Sequence, residues 1–346
     1  MHRMKSTNRP ILVKTAALAL IAALLLPMAS VLAEASPLKF HFKEKEVVNY
    51  VGNKMKLTAI LNNPSQLKET VTVQLTDQND LVLAEAQMKP KQKEVSFKLE
   101  LTQELFGKHL VTVSLNGEKL SDPLYVAVGD KKARILTGIV TDEKVISLTM
   151  DFAFGEPDTQ AYFDLFDEYG IKISCFFMGR YANDHPDILT MIRDRGHDIG
   201  NHSMTHPHNA NLTQHERFLQ VTKAQEAIKA ACGVDPIFYR PPFGEYSQDI
   251  KAFAMAEGMT LIMWTNTDND SVIGITEDQS YNHLVHYLEP GQIILTHNDG
   301  IVTLGVMKRF IPYALEQGYR FVPVSELMNM GPWREGTDKL RRMNEK

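Results

Sequence analysis

Hydrophobic residues recur at every second position through much of the segment from Ser36 to Asp130. The alternation runs through Met55, Leu57, Ala59 and Leu61 in KMKLTAIL, Val71, Val73 and Leu75 in VTVQL, Val95, Phe97, Leu99 and Leu101 in VSFKLEL, and Val111, Val113 and Leu115 in VTVSL. A period of two sends alternate side chains to one face, so each run predicts a strand with one face in a core. The turn-rich pieces NNPS, DQND and LNGE separate these runs. Such spacing predicts a small antiparallel sandwich over residues 36–130. His41 and His109 stand alone there and are expected at the surface.

After GDKKAR the pattern changes to short apolar runs alternating with longer amphipathic ones. KVISLTMDF, IKISCFFMG, HDIGNH, PIFYR, MTLIMWT, QIILTH and RFVPV read as strands, while HPDILTMIRDRG and residues 158–169, 212–231, 247–257, 279–288 and 302–317 read as helices. Strands alternating with helices predict a parallel sheet, open or closed into a barrel. In such barrels chemistry sits where strands end and loops begin. Asp151, His202, Arg240, Asp270 and His297 all follow apolar, strand-like runs. The fold class expected is α/β, preceded by a small all-β domain of immunoglobulin-like or fibronectin-like form that serves as a spacer or binding module.

The 346 residues are 44% hydrophobic and 23% charged, which suits a folded protein of about two domains. The formal charge is −5 and no basic cluster is dense, so a nucleic-acid partner is not expected. Residues 1–33 differ from the rest: Arg3, Lys5, Arg9 and Lys14 precede the apolar run TAALALIAALLL, and PMASVLA offers small residues up to Ala33. This is the pattern of a secretory signal cleaved after Ala33, with an uncleaved anchor over Thr15–Ala33 as the alternative. Cleavage would take the charge to −9 and leave the remaining chain on the outer side of a membrane. Only Cys175 and Cys232 are present, too few for a disulfide framework, and Cys175 in its apolar run is expected to be a buried thiol.

Four short stretches carry candidate chemistry. His202 and His206 in HSMTH stand four apart, a spacing that lets two imidazoles converge on one cation in a helix or tight turn. His297 ends the run QIILTH, as a general acid or base or as a core histidine bonded to a carbonyl. Asp151 closes a buried strand, where an ionised carboxylate needs a partner. Arg240 in YRPPFG is the natural one, either orienting a catalytic carboxylate or forming a structural ion pair. Pro241 and Pro242 stiffen the loop after it and Gly244 permits a close turn, so its N–H groups can face a developing oxyanion.

Together these pieces resemble the polysaccharide deacetylase family, carbohydrate esterase family 4, also called the NodB-homology domain. The resemblance covers about residues 140–330 and five motifs in order. Thr149, Met150, Asp151, Phe152 and Ala153 stand at the T-F-D-D-G motif, and His202, Ser203, Met204, Thr205 and His206 match H-S/T-x-x-H. Arg240, Pro241, Pro242, Phe243 and Gly244 stand at R-P-P-Y-G, Asp270 and Ser271 at Asp-Trp, and Leu295, Thr296 and His297 at L-x-H. The resemblance implies a NodB-like distorted (β/α) barrel and metal-assisted hydrolysis of an N-acetyl group. A divalent, zinc-like ion would be held by His202 and His206; Asp151 would be the base; the Phe243 N–H would meet the oxyanion; and His297, tuned by Asp270, would protonate the amine. Substrate would be a cell-wall or chitin-like glycan, with no obligate protein partner indicated.

Two of the departures from the family pattern bear on the chemistry. Phe152 replaces the carboxylate that completes the Asp-His-His metal triad, and a phenyl ring cannot coordinate a cation. Ser271 removes an aromatic wall of the acetyl pocket and leaves Leu295 as the recognisable apolar contact. Three outcomes stay open: a substitute ligand, from Asp151, Glu156, Asp158 or His208; an impaired, glycan-binding relative; or another amide or imide substrate. The expected organisation is a signal over 1–33, the sandwich over 36–130, the deacetylase-like domain over 140–330 and a charged tail over 331–346, in which Trp333 docks on the barrel.

Overall fold

The computed structural model describes residues 38–155 and 159–334. The proposed signal, most of the charged tail, and Glu156 and Asp158 lie outside these residues. Among the described residues no helix is long and apolar enough to cross a membrane.

The N-terminal domain is all-β. Its strands are β1 (Phe40–Phe42), β2 (Glu46–Tyr50), β3 (Lys54–Leu61), β4 (Val71–Thr76), β5 (Val82–Met88), β6 (Glu94–Glu100), β7 (Gly107–Leu115), β8 (Glu118–Lys119) and β9 (Leu124–Gly129). One sheet has the order β1-β3-β6 and the other β2-β9-β7-β4-β5, with β8 paired to β7. Leu57, Ala59 and Leu61 of β3, Val95, Phe97 and Leu99 of β6, Val73 and Leu75 of β4, and Val111 and Val113 of β7 meet in one core. The period-two runs are thus β3, β4, β6 and β7. β9 escapes that pattern because all six of its residues are buried. Leu124, Val126 and Val128 face the core between the sheets, while Tyr125 and Ala127 pack against the second domain. The pairing is also not wholly antiparallel, since β2 runs parallel to β9. His109 is not a surface residue: its Nε2 lies 3.0 Å from the Leu105 carbonyl and its Nδ1 3.5 Å from Asp77.

The second domain continues with β10 (Val145–Phe152), α1 (Thr159–Glu168), β11 (Ser174–Phe177), α2 (Gly179–Asp184), α3 (Pro186–Asp194), β12 (Asp198–Asn201), α4 (Gln214–Cys232), β13 (Phe238–Tyr239), α5 (Gln248–Ala256), β14 (Thr260–Leu261), β15 (Asn266–Thr267), α6 (Glu277–His286), β16 (Ile293–His297), α7 (Thr303–Glu316), β17 (Arg320–Phe321) and α8 (Val324–Leu327). The strand order is β14-β13-β12-β11-β10-β16-β15, with β17 beside the start of β10. All of these pairings are parallel. Parallel strands covered on both faces are continuously apolar, which is why all eight residues of β10 are buried. MTLIMWT yields only the two-residue β14, and the chain then crosses to β15 at the other edge of the sheet. The two edges are therefore joined by residues 262–265, and the sheet curls into an incompletely closed barrel.

That curl is enforced from inside. β13 and β10 are separated by two strands in the sheet, yet Arg240, directly after β13, reaches across the interior to Asp151 on β10. Gly200 on β12 leaves room for this, because a Cβ there would come within 2.5 Å of the Phe176 ring. Local signals agree with the fold: Thr213 and Glu216 form a reciprocal capping box at the start of α4, and Gly233 ends it in the left-handed conformation. Cys175 and Cys232 are free and buried. Trp333 pairs with Ile139 and donates through Nε1 to the Met328 carbonyl, so it docks on the barrel.

The two domains share a packed interface. Tyr125 lies against Phe218 of α4 and Phe253 of α5, and its hydroxyl donates to Glu257 at 2.7 Å. Lys108 donates to the same carboxylate at 3.1 Å. Tyr125→Phe is expected to keep the packing and remove one hydrogen bond to a charged acceptor, costing about 1.5–3 kcal/mol in urea unfolding.

Candidate active site

The site is built at the C-terminal ends of the parallel strands. Asp151 and His297 are directly paired on adjacent strands β10 and β16, and Thr149 and Leu295 are the pair one interior layer below. Asp151 Oδ1 accepts from Arg240 Nη1 at 2.8 Å, and the same nitrogen donates to Thr149 Oγ1 at 2.8 Å. Arg240 is wholly buried and lies over the rings of Phe176, at 4.1 Å, and Trp264, at 5.7 Å. Burial alone would push the Asp151 carboxyl up; the charges of Arg240 and His297 and the Arg240 hydrogen bond outweigh it and hold the group below its ordinary value. Asp151 is therefore a fixed, ionised carboxylate.

His297 is the complement. Its Nδ1 lies 2.7 Å from Asp270 Oδ1, and its backbone N–H donates to Asp270 Oδ2 at 2.7 Å. Burial works against a charged imidazole, but the Asp270 hydrogen bond and the negative charges of Asp270 and Asp151 raise His297 to about 9. It is protonated at neutral pH, with Nε2 left to face the cleft.

His202 and His206 come from the turn after β12, where Ser203 and His206 hold φ values of 69° and 57°. Phe243 and Asn269, in the two loops beside them, have φ of 56° and 57°, so four of these loop residues occupy the left-handed region that side chains disfavour. His202 Nδ1 donates to the Arg240 carbonyl at 2.8 Å, which fixes the tautomer and leaves the lone pair on Nε2. Nε2 is buried without a hydrogen-bond partner and lies 3.5 Å from Asp151 Oδ2. The His206 ring packs against His202, Phe154 and Phe243, and burial above all lowers it to about 4. The Phe243 N–H has no acceptor among the described residues.

The polysaccharide deacetylase family model matches residues 138–262. The domain belongs to the polysaccharide deacetylase family. The carbohydrate esterase family 4 deacetylases are hydrolases of N-acetyl amide bonds. A peptidoglycan-N-acetylglucosamine deacetylase of Bacillus cereus is 27% identical over 186 residues, covering 53% of this chain and 67% of that protein. Chitin deacetylase 2 of Cryptococcus neoformans is 26% identical, covering 56% of this chain and 46% of that protein. Among solved structures, a mutant of a Bacillus anthracis pseudoenzyme of carbohydrate esterase family 4, with restored enzymatic activity, superimposes with a TM-score of 0.55 at 25% identity. It covers 63% of this chain and 79% of that one.

Deacetylases of this family are generally metal-dependent. His202 Nε2 and Asp151 Oδ2 direct lone pairs at the same space, which suits a shared cation. The third position does not. Phe152 is fully buried, stacked on Phe177 at 4.6 Å, near Phe163 at 6.5 Å, with Tyr181 edge-on at 5.7 Å. It is part of the hydrophobic core behind β10. His208 does not substitute: its Nδ1 is 3.1 Å from Glu245 Oε1 and its ring stacks on Phe243 at 3.9 Å. Among the described residues no group of three or more His, Cys, Asp or Glu side chains is arranged to hold a metal ion. The residues present do not make the family's metal triad.

The structure adds residues that the motifs did not reveal. Asn298, buried after His297, donates from its backbone N–H to the Asp151 carbonyl and from Nδ2 to the Phe154 carbonyl. Asp268 and Thr303 contact Asp270 from behind. Only Asp268 left a trace, as the first carboxylate of D-N-D. A separate surface depression of about 370 Å³, lined by Asn269, Val272, Ile273 and His283 among others, contains neither Asp151 nor His297.

Phe152→Asp is expected to destabilise the chain by about 3–5 kcal/mol through the lost aromatic packing. Added zinc is expected to raise the melting temperature of this variant more than that of the parent, since only the variant carries the third carboxylate; calorimetry with and without zinc reads both effects.

Proposed function

We propose that this protein removes acetyl groups from an N-acetylated cell-envelope polysaccharide of peptidoglycan or chitin type. The observation that carries the reading is the opposite partnering of two groups on adjacent strand ends: Asp151 with the Arg240 guanidinium at 2.8 Å, and His297 with the Asp270 carboxylate at 2.7 Å. Asp151 takes a proton from water as the water oxygen attacks the acetamide carbonyl carbon. The Phe243 N–H meets the oxyanion, and Leu295 supplies an apolar wall for the methyl group. His297 Nε2 then gives its proton to the departing nitrogen, the C–N bond breaks, and acetate and a free amine leave. The glycan substrates named for the relatives, and the signal pattern of residues 1–33, support an external substrate. The all-β domain, read as an immunoglobulin-like or fibronectin-like module, would hold the barrel at the wall.

A second reading has its own observation. Burial of Phe152 in the core leaves the metal triad without its carboxylate, and one of the matched solved structures derives from a pseudoenzyme; both favour a glycan-binding relative with impaired catalysis.

Acetate release from peptidoglycan and from chitin oligomers separates the two. Under the deacetylase reading His297→Ala lowers release by about 10²–10⁴-fold while retention on insoluble glycan persists. Retention with no acetate from the parent chain on any substrate would establish the binding reading instead. The pH profile gives a further check: His297 must be protonated to act as acid, so activity is expected to fall as pH rises through about 9. In Asp270→Asn the raising hydrogen bond and charge are lost and burial remains, so that limb is expected to move to lower pH.

A further inference from the structure

Behind the His297–Asp270 pair lies a second carboxylate that the five motifs do not include. Asp268 is fully buried, and so is Thr303, the first residue of α7. Thr303 Oγ1 lies 2.8 Å from Asp268 Oδ2 and 3.0 Å from Asp270 Oδ2, so one hydroxyl bridges two carboxyl groups. Gly300 keeps the three in contact, since a Cβ there would come within 2.2 Å of Thr303 Oγ1 and 2.5 Å of Asp270 Oδ2.

Proton counting decides the arrangement. A threonine hydroxyl carries one proton and two lone pairs, so with two carboxylates it can donate to one only. The other contact is a hydrogen bond only if that carboxyl is the donor. Asp270 is surrounded by donors: His297 Nδ1–H on Oδ1, and the His297 backbone N–H and the Thr303 hydroxyl on Oδ2. It is the ionised member. Asp268 Oδ1 accepts the Asp270 backbone N–H at 3.3 Å, as a carbonyl oxygen would, which leaves Oδ2 to carry the proton. We infer that Asp268 is a neutral carboxylic acid that donates to Thr303, which in turn donates to Asp270, and that this chain positions Asp270 as the single negative partner of His297.

The electrostatics agree. Burial first, and then the charge of Asp270, push the Asp268 carboxyl up to about 8, and no Lys or Arg is among the causes that lower it. The other titratable groups facing this cluster are Tyr162 of α1, Asp299 and, across the cleft, Asp151. The consequence lies in acid strength. Two ionised carboxylates behind one imidazole would hold its proton too firmly for transfer to an amine; a neutral Asp268 fixes the geometry without adding the second charge. Asp268 and Thr303 are positioning residues, because neither reaches the cleft. This rests on the reading of His297 as the proton donor.

Two measurements on the purified chain test it without substrate, so its failure is distinguishable from failure of the deacetylase reading. The first is infrared difference spectroscopy of the parent against Asp268→Asn at pH 7, with ¹³C-labelled aspartate for assignment. A protonated-carboxyl C=O band present in the parent and lost in the variant is expected; its absence from the parent overturns the inference. The second is NMR titration of His297. Asp268→Asn, which replaces one neutral donor by another, is expected to leave the midpoint within a few tenths of a pH unit. A fall of a unit or more would mean that a negative charge had been removed, and would overturn it. If the variant does not fold, the pH dependence of the labelled carboxyl in the parent decides: a proton retained through pH 7 supports the inference, and ionisation near the ordinary value of 3.8 refutes it.

Discussion

The buried ion pair between Asp151 and Arg240 is the constraint on which the barrel and the site depend. Neither group can be solvated where it sits, so each requires the other, and removing one would leave an uncompensated charge in the interior. The pair joins strands separated by two others, so the sheet must curl to satisfy it. Thr149, Phe176 and Trp264 then fill the remaining surroundings of the guanidinium, and Gly200 yields the space that Phe176 needs. The same contact fixes the orientation of the Asp151 carboxylate, and the Arg240 carbonyl fixes the tautomer of His202. Fold and chemistry therefore share one contact.

Phe152 shows what the alternation of side chains along a strand does to a substitution. Asp151 points into the barrel and the next side chain points toward the helices, where Phe163, Phe177 and Tyr181 receive an aromatic ring. A carboxylate at 152 would have to turn back toward His202; a phenyl ring has every reason to stay in the core. Phe152 thus leaves the family's metal triad one donor short while giving the fold buried apolar area, and the Asp151–Arg240 and His297–Asp270 pairs stay intact.

Much of the fold was legible in the sequence because it rests on local periodicity. The alternating runs at Lys54–Leu61, Val71–Thr76, Glu94–Glu100 and Gly107–Leu115 became strands, and the helices at Thr159–Glu168, Gln214–Cys232 and Thr303–Glu316 lie within a few residues of their expected bounds. β9 was hidden because burial on two faces erases alternation. β15 was hidden because two residues carry no period. In the site, strand-end polar residues and motif spacing pointed to Asp151, His202, Arg240, Asp270 and His297, but Asp268 and Thr303 are brought together only when α7 docks over the loop after β15.

The sequence by itself determined the alternating strands and the longer helices, put Asp151, His202, Arg240, Asp270 and His297 at strand ends, and put Phe152 where the family has its second aspartate, since each is a matter of residue type and local spacing. Tertiary structure decided the protonation of those groups, because it depends on what lies within a few ångströms across the barrel. It also decided where Phe152 goes, which way β9 faces and that His208 pairs with Glu245, all of which follow from packing between segments far apart in the chain.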